Sequence, residues 1–307
     1  MSERLKVDIS ELAALVNEIA QSDGNFDTPI PGLIICRCST STTPIPCIFG
    51  LGLGIIVQGE KRVTLGEEVS NYKAGQSVIT TLELPMVSYL TNVSKSAPYI
   101  GIWLKLDPQL MARLATEMKP AIAQSNQSLR SMSTATLDDG LKGALIRLVS
   151  LINEPHLLSS IAPLIQQEIA IRLLNGEHGS ILRRLAETES PSQKISKLVL
   201  WLKQHYTENL PMNVLAEKAY MSPSTFRQHF RAVVGISPLQ YVKNLRLQNA
   251  RQLMINEGLD AASAALRVGY ESASQFSREY RRLFGEPPSR DIKRIQKSDW
   301  PKDDHLY

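Results

Sequence analysis

Residues 210–238, LPMNVLAEKAYMSPSTFRQHFRAVVGISP, and residues 260–288, DAASAALRVGYESASQFSREYRRLFGEPP, decide how the rest of the chain is read. Between Pro211 and Pro288 one pattern occurs twice, fifty residues apart. The pairs are Tyr220 and Tyr270, Ser222 and Ser272, Ser224 and Ser274, and Phe226 and Phe276; then Phe230 and Tyr280, Arg231 and Arg281, Gly235 and Gly285, and Pro238 and Pro288. A repeat of this period implies one supersecondary unit built twice, each copy needing its neighbour to bury its apolar face. Each copy reads as helix, tight turn, helix. Leu210, Val214, Leu215 and Ala219 form an apolar stripe at helical spacing, and Pro211 suits a first helical turn. Ser222 then offers an N-cap and Pro223 the first position of a second helix.

In that second helix Phe226, Phe230 and Val233 share one side, while Ser224, Arg227, Gln228 and Arg231 stand at i, i+3, i+4 and i+7 on another. The second copy places Phe276, Tyr280 and Phe284 inward and Ser274, Gln275, Arg278 and Arg281 outward. A charged outer face is most often only a solvated face. Two tandem units with matched Ser and Arg positions go further, because a DNA major groove demands this set: forked donors for guanine, an amide for adenine, hydroxyls and backbone amides for phosphate.

The segments LAEKAYMSPSTFRQHFRAVVGISPLQYVKNLRLQNARQLM and AASAALRVGYESASQFSREYRRLFGEPPSRDIKRI resemble the paired helix-turn-helix domain of AraC/XylS-type bacterial transcription regulators. The resemblance covers about one hundred residues and implies that the second helix of each unit enters the major groove. It further implies that a long helix from about Pro238 to Ile255 holds the units apart. Carried onto this chain, the base-reading positions are Ser224, Arg227 and Gln228, then Ala273, Ser274, Gln275 and Arg278, with Ser222, Thr225, Arg231, Arg281 and Arg282 completing the DNA-binding set. One departure is visible. Tyr220 stands in the first turn where this family often has glycine, which implies a different or strained turn.

The chain has 307 residues and a net charge of +4, unevenly shared. From Pro191 onward there are 18 Lys and Arg against 11 Asp and Glu; the first 190 residues hold 16 against 19. This polarity fits a DNA-binding C-terminal part and an N-terminal part with another task. The N-terminus carries Glu3 and Asp8 and lacks the apolar core of a signal peptide, and no run of eighteen apolar residues occurs. Three cysteines argue against a secreted disulfide framework, so the expected location is the bacterial cytoplasm, on the nucleoid when bound.

Within the N-terminal part, Asp8 to Ser22 predicts a short amphipathic helix with capping-box spacing between Asp8 and Glu11, ended by Gly24. From about Pro31 to Leu106 short β-rich runs predict a sandwich or small barrel of jelly-roll or cupin-like type: Leu33 to Cys38, Phe49 to Val57, Lys61 to Leu65, Ser77 to Leu82, Met86 to Thr91 and Tyr99 to Leu106. The GLGLG run at Gly50 to Gly54 reads as strand, since it lacks both the spacing and the following helix of a phosphate loop. Asp107 and Pro108 start a helix, residues 119–136 read as loop, and two longer helices follow, striped by Leu141 to Ile152 and Leu157 to Leu173. The expected fold is therefore α+β, a cupin-like β-barrel with a following helix pair and then an all-α domain with two tandem helix-turn-helix units. The predicted division is 1–186 (barrel about 31–106, helices about 107–186), a linker at 187–192, and 193–307.

Cupin-type barrels are often metal enzymes. Here none of the five histidines (His156, His178, His205, His229, His305) lies in the strand region, so neither a metal site nor a cofactor is expected. The stretch PIPCIFGLGLGIIVQGEKRVTLG is similar to effector domains of one AraC-type subgroup, which implies a small-molecule signal. The sharp alternative is thiol sensing by Cys36, Cys38 or Cys47. Cys36 and Cys38 are two apart and share a strand face, but only Arg37 is close in sequence to lower a thiol pKa, and buried inert cysteine is the commoner state. A cupin-fold enzyme with a DNA-binding tail is the remaining competitor. Expected partners are double-stranded DNA, a small-molecule effector, RNA polymerase if the protein is an activator, and a second copy through the helix pair; a membrane is not among them.

Overall fold

The computed structural model describes residues 9–42, 44–118, 129–187 and 190–297. Asp8 as a capping residue, residues 119–128 of the expected loop and the chain from 298 lie outside the described residues; the charged tail expected after Arg294 is helical as far as Lys297. The chain opens with α1 (Ile9–Ile19) and continues through β1 (Gly24–Asp27), β2 (Leu33–Cys38), β3 (Ile45–Phe49), β4 (Gly52–Gln58), β5 (Glu60–Leu65), β6 (Glu68–Lys73), β7 (Gln76–Thr80), β8 (Leu84–Leu90) and β9 (Tyr99–Lys105). Then come α2 (Pro108–Glu117), β10 (Met132–Thr136), α3 (Asp139–Ser150), α4 (Leu158–Asn175) and α5 (Gly179–Arg183). The C-terminal half is helical: α6 (Pro191–His205), α7 (Met212–Lys218), α8 (Pro223–Val234), α9 (Pro238–Asn256), α10 (Ala261–Arg267), α11 (Ala273–Phe284) and α12 (Pro288–Lys297).

The strands form two antiparallel sheets, ordered β1-β2-β9-β4-β7-β10 and β3-β8-β5-β6. Side chains alternate across a strand, and the larger sheet uses both faces. Leu33, Ile35, Leu53, Ile55, Ile79, Ile102 and Leu104 pack outward against the helices α1 to α4. Cys38, Ile56, Val78 and Tyr99 face the smaller sheet. The glycines of β4 follow from this. Gly54 pairs with Trp103, and a Cβ on Gly52 would collide with the Trp103 indole, so the GLG alternation makes room for one large ring.

Several predicted boundaries change. The single run from Phe49 to Val57 is two strands in different sheets, broken at Gly50 and Leu51. β1, β6 and β10 are edge or near-edge strands of polar composition. In β6 only Tyr72 is buried, so no apolar alternation marks it, and residues 132–136, read as loop, pair with β7. α1 stops at Ile19 and Gly24 opens β1. Pro211 is the N-cap of α7, not a residue of its first turn. Ser190 caps α6 through the Gln193 amide and Pro191 begins it, so the expected linker is helical from its fifth residue.

The two halves share a core. The buried faces of β5, β7 and β8 form one apolar cluster with α6, α7, α8 and the first half of α9, whereas α10, α11 and the rest of α9 form a separate one. Hydrogen bonds cross the junction from the Ser131 amide to the Val233 carbonyl (2.9 Å), from the Tyr241 hydroxyl to the Glu83 carbonyl (3.0 Å), and from Gln248 Nε2 to the Met86 carbonyl (2.9 Å). Lys203 pairs with Glu83 beside them at 2.8 Å.

Candidate nucleic-acid interface

α8 and α11 are built alike. Ser222 and Ser272 cap them, their hydroxyls accepting from the amides of Thr225 and Gln275 (each 3.3 Å), and each ends at a left-handed glycine, Gly235 (φ 94°) and Gly285 (φ 82°). Phe226, Phe230 and Val233 anchor α8, with Phe230 edge-on to Tyr241 of α9 at 5.8 Å. Phe276, Tyr280 and Phe284 anchor α11 through a run of ring contacts.

The opposite faces are exposed. Ser222, Ser224, Thr225, Arg227, Gln228 and Arg231 on the first unit, and Ala273, Ser274, Gln275, Arg278, Arg281 and Arg282 on the second, all stand in solvent. The hydroxyl of Ser222 also bonds that of Thr225 (2.8 Å), so these two are committed to the cap before any ligand arrives. Gln275 leans on Glu279 at 3.2 Å. Glu279 is an acidic residue inside the second helix that the outward set did not include. Burial works against its carboxylate, but Lys243 (2.7 Å), the Tyr270 hydroxyl (2.8 Å) and Gln275 together hold its pKa below the usual carboxylate range. Its charge is thereby turned toward α9.

The turns before the two helices differ by one residue. In the first, the left-handed position is Tyr220 (φ 55°); in the second it is Gly269 (φ 88°). The partner of Tyr220 is thus Gly269 and not Tyr270, which is buried and bonds Glu279. The fifty-residue spacing holds from the N-cap serines onward and fails in the turn.

α9 sets the separation of the units. Its 19 residues span about 28 Å, contributing Tyr241, Val242 and Leu245 to the first cluster and Leu247, Ala250 and Met254 to the second. Two arginines fix it. Arg246 donates to the carbonyls of Tyr206 (2.6 Å), Glu208 (2.7 Å) and Gly269 (2.9 Å). Arg251, buried, pairs with the fully buried Asp291 at 2.7 Å, and the Tyr280 hydroxyl joins the same carboxylate at 2.7 Å. Neither network was visible in the sequence, because the partners of the two arginines lie 23 to 40 residues away and follow no local period.

Between the sheets lies a cavity of about 70 Å³ lined by Ile34, Cys36, Phe49, Met86, Trp103 and others, with Lys61, Tyr72, Thr80 and Tyr99 among its polar side chains. Lys61 Nζ lies 5.1 Å from the Phe49 ring centre. Burial pushes the Cys36 thiol up to about 12 and raises those of Cys38 and Cys47 as well, so all three are protonated at neutral pH. Among the described residues no three His, Cys, Asp or Glu side chains converge as metal ligands would.

Comparison with known proteins finds a match in both halves. Residues 29–181 match a family model described as AraC-type transcriptional regulator N-terminus, and residues 215–294 match one described as a helix-turn-helix domain. The chain is 31% identical over 111 residues to the HTH-type transcriptional regulator ExsA of Pseudomonas aeruginosa, a match spanning 36% of this chain and 38% of that protein. It is 22% identical over 245 residues to the thermoregulatory protein LcrF of Yersinia pestis, spanning 78% of this chain and 87% of LcrF. The fold is shared with ToxT of Vibrio cholerae, whose apo form superposes with a TM-score of 0.56 at 12% identity over 87% of this chain and 99% of ToxT. A ToxT structure bound to (E)-4-(8-methylnaphthalen-1-yl)but-3-enoic acid superposes at 0.54, with 11% identity over 84% of this chain and 97% of ToxT.

Proposed function

We propose, from the premise that this chain belongs to the AraC family of transcriptional regulators, that α8 and α11 read two major-groove segments about one helical turn, roughly 34 Å, apart on one DNA face. Arg227, Gln228, Gln275 and Arg278 contact base edges, with Ser224, Ala273 and Ser274 beside them; Arg231, Arg281 and Arg282 grip phosphates. One observation carries this reading. Two matched faces of Ser, Gln and Arg stand exposed at equivalent places on two serine-capped helices joined by one rigid spacer.

We divide the chain at 187–192 into an effector and dimerisation half and a DNA-binding half, acting in the cytoplasm. The cavity between the sheets receives an apolar small molecule with an anionic end, its body among Ile34, Phe49, Met86 and Trp103 and its charge toward Lys61. At about 70 Å³ the cavity takes such a ligand by moving flexible wall residues such as Met86 and Met132. A second copy as partner through the helix pair α3 and α4 rests on the family alone. RNA polymerase is the further partner of an activating form.

The test is selection of genomic duplex fragments by the purified full-length protein at near-physiological salt. Recovery of a site with two contacted segments about one turn apart supports the reading. Enrichment of nothing, with and without apolar carboxylates present, removes it.

A further inference from the structure

Tyr220 stands where the fold asks for glycine. α7 and α10 end in the same way. The amide of Tyr220 bonds the Glu217 carbonyl (2.9 Å) and that of Met221 bonds Ala216 (3.0 Å); the amide of Gly269 bonds Leu266 (3.1 Å) and that of Tyr270 bonds Ala265 (2.9 Å). This paired pattern forces a left-handed residue just past the helix, a position that strongly favours glycine. In the second unit glycine is required twice over, because a Cβ on Gly269 would also strike the Thr207 carbonyl. In the first unit a tyrosine holds the same conformation at φ 55° with its ring 84% exposed. Its Met221 neighbour, not the ring, makes the packing contact of the turn.

An aromatic residue kept in an unfavourable backbone conformation, and contributing nothing to the core, points to a use outside the chain. Its place narrows the partner. Tyr220 lies two residues before the N-cap of α8, at the end of the helix from which Ser224 and Thr225 project. Around it Glu217, Lys218, Ser222 and Pro223 are also exposed, so the ring does not belong to the contiguous apolar patch that a protein partner would need. A phosphate oxygen needs only one well-placed O–H.

We infer that Tyr220 is a DNA-contact residue, its phenol donating to a backbone phosphate at the edge of the groove that α8 enters. The inference rests on the reading of α8 as a recognition helix.

The test uses the full-length protein and a mixed-sequence duplex of about 30 base pairs, long enough for two recognition helices one turn apart. Tyr220→Phe and Tyr220→Gly are each expected to bind about tenfold more weakly than the unsubstituted protein. Because a neutral donor displaces no counterion, the slope of log affinity against log salt stays unchanged in both. Tyr220→Gly melts no lower than the unsubstituted protein, which separates lost contact from lost fold. Wild-type affinity in Tyr220→Phe overturns the inference. So does wild-type affinity in Tyr220→Gly, and if transcription activation is then lost, the ring meets RNA polymerase instead. Failure of the folded unsubstituted protein to bind the duplex overturns the reading of α8 itself.

Discussion

Arg278 and Arg281 lie on one exposed face of α11, yet the proposed reading gives them different work. Arg278 sits nearer the helix N-terminus, where side chains reach base edges; Arg281 lies in the last turn, nearer the flanking backbone. Arg278→Ala is therefore expected to cost about 1–3 kcal/mol of binding and to relax preference at one base position. Arg281→Ala should weaken all sequences alike and reduce the salt slope by about one. Selection with each variant, repeated at several salt concentrations, reads both effects, and identical behaviour of the two would reject the assignment. His178 offers a second residue-scale test. Buried, it bonds Ser77 through Nε2 and Ser133 through Nδ1 (each 2.9 Å), and burial lowers its pKa from 6.5 to about 4. Between those values the unfolded chain takes up a proton that the folded chain refuses, so stability falls as pH drops through the window. The loss reaches ~3 kcal/mol when complete. A melting temperature flat from pH 6.5 to 4, or equally steep in His178→Gln, would remove this account. The outward arginines were legible because a 3.6-residue period declares which side is out. His178 was legible only as a histidine outside the strand region, since its two serines lie 101 and 45 residues away.

At the scale of elements, what could be read followed how apolar the element is. β2, β5 and β9 announced themselves; β6 and β10 did not, because edge strands are polar and take their place from hydrogen bonds to a neighbour. The tandem units were legible through the serine caps and paired aromatics, while the turn offset was hidden by the chance alignment of Tyr220 with Tyr270. β4 shows a pattern seen before its reason was available. Its alternation of glycine and large residues marked a strand, but only the register of Gly54 against Trp103 explains which face is kept clear. Gly52→Ala should therefore lose about 1–3 kcal/mol of stability, because the indole must leave its place over β4. Gly75→Ala is the comparison for backbone strain without crowding, since its Cβ would meet nothing within 4 Å and only its positive φ of 83° resists the change. Chemical denaturation followed by tryptophan fluorescence reads both; a Gly52→Ala protein as stable as the parent would show the Trp103 ring to be loosely held.

Across the whole molecule, the division read at 187–192 does not separate two cores. The first helix-turn-helix unit is packed on the smaller sheet, and the second stands apart with its own apolar cluster. Charge asymmetry and the polar stretch could announce two parts; neither could show that one of them is half absorbed by the other. This asymmetry gives a route from ligand to DNA. Tyr72 and Met132, in contact at 3.6 Å, wall the cavity between the sheets, and both also line a second cavity of about 320 Å³ with Val233 and Val234 of α8. A molecule that displaces this wall changes what the C-terminal end of α8 packs on, and it touches nothing that α11 packs on. A ligand present at about one hundred times its Kd adds roughly 2.7 kcal/mol to whatever unfolds with its site. With an apolar carboxylate that raises the melting temperature, amide hydrogen exchange should slow in the sheets and in α8, and stay unchanged in α11. Tyr72→Ala should keep ligand binding within a few-fold while breaking the protection of α8. Equal slowing of α8 and α11 would mean that the signal travels through the whole helical half, and protection of the sheets alone would mean that the wall does not transmit it.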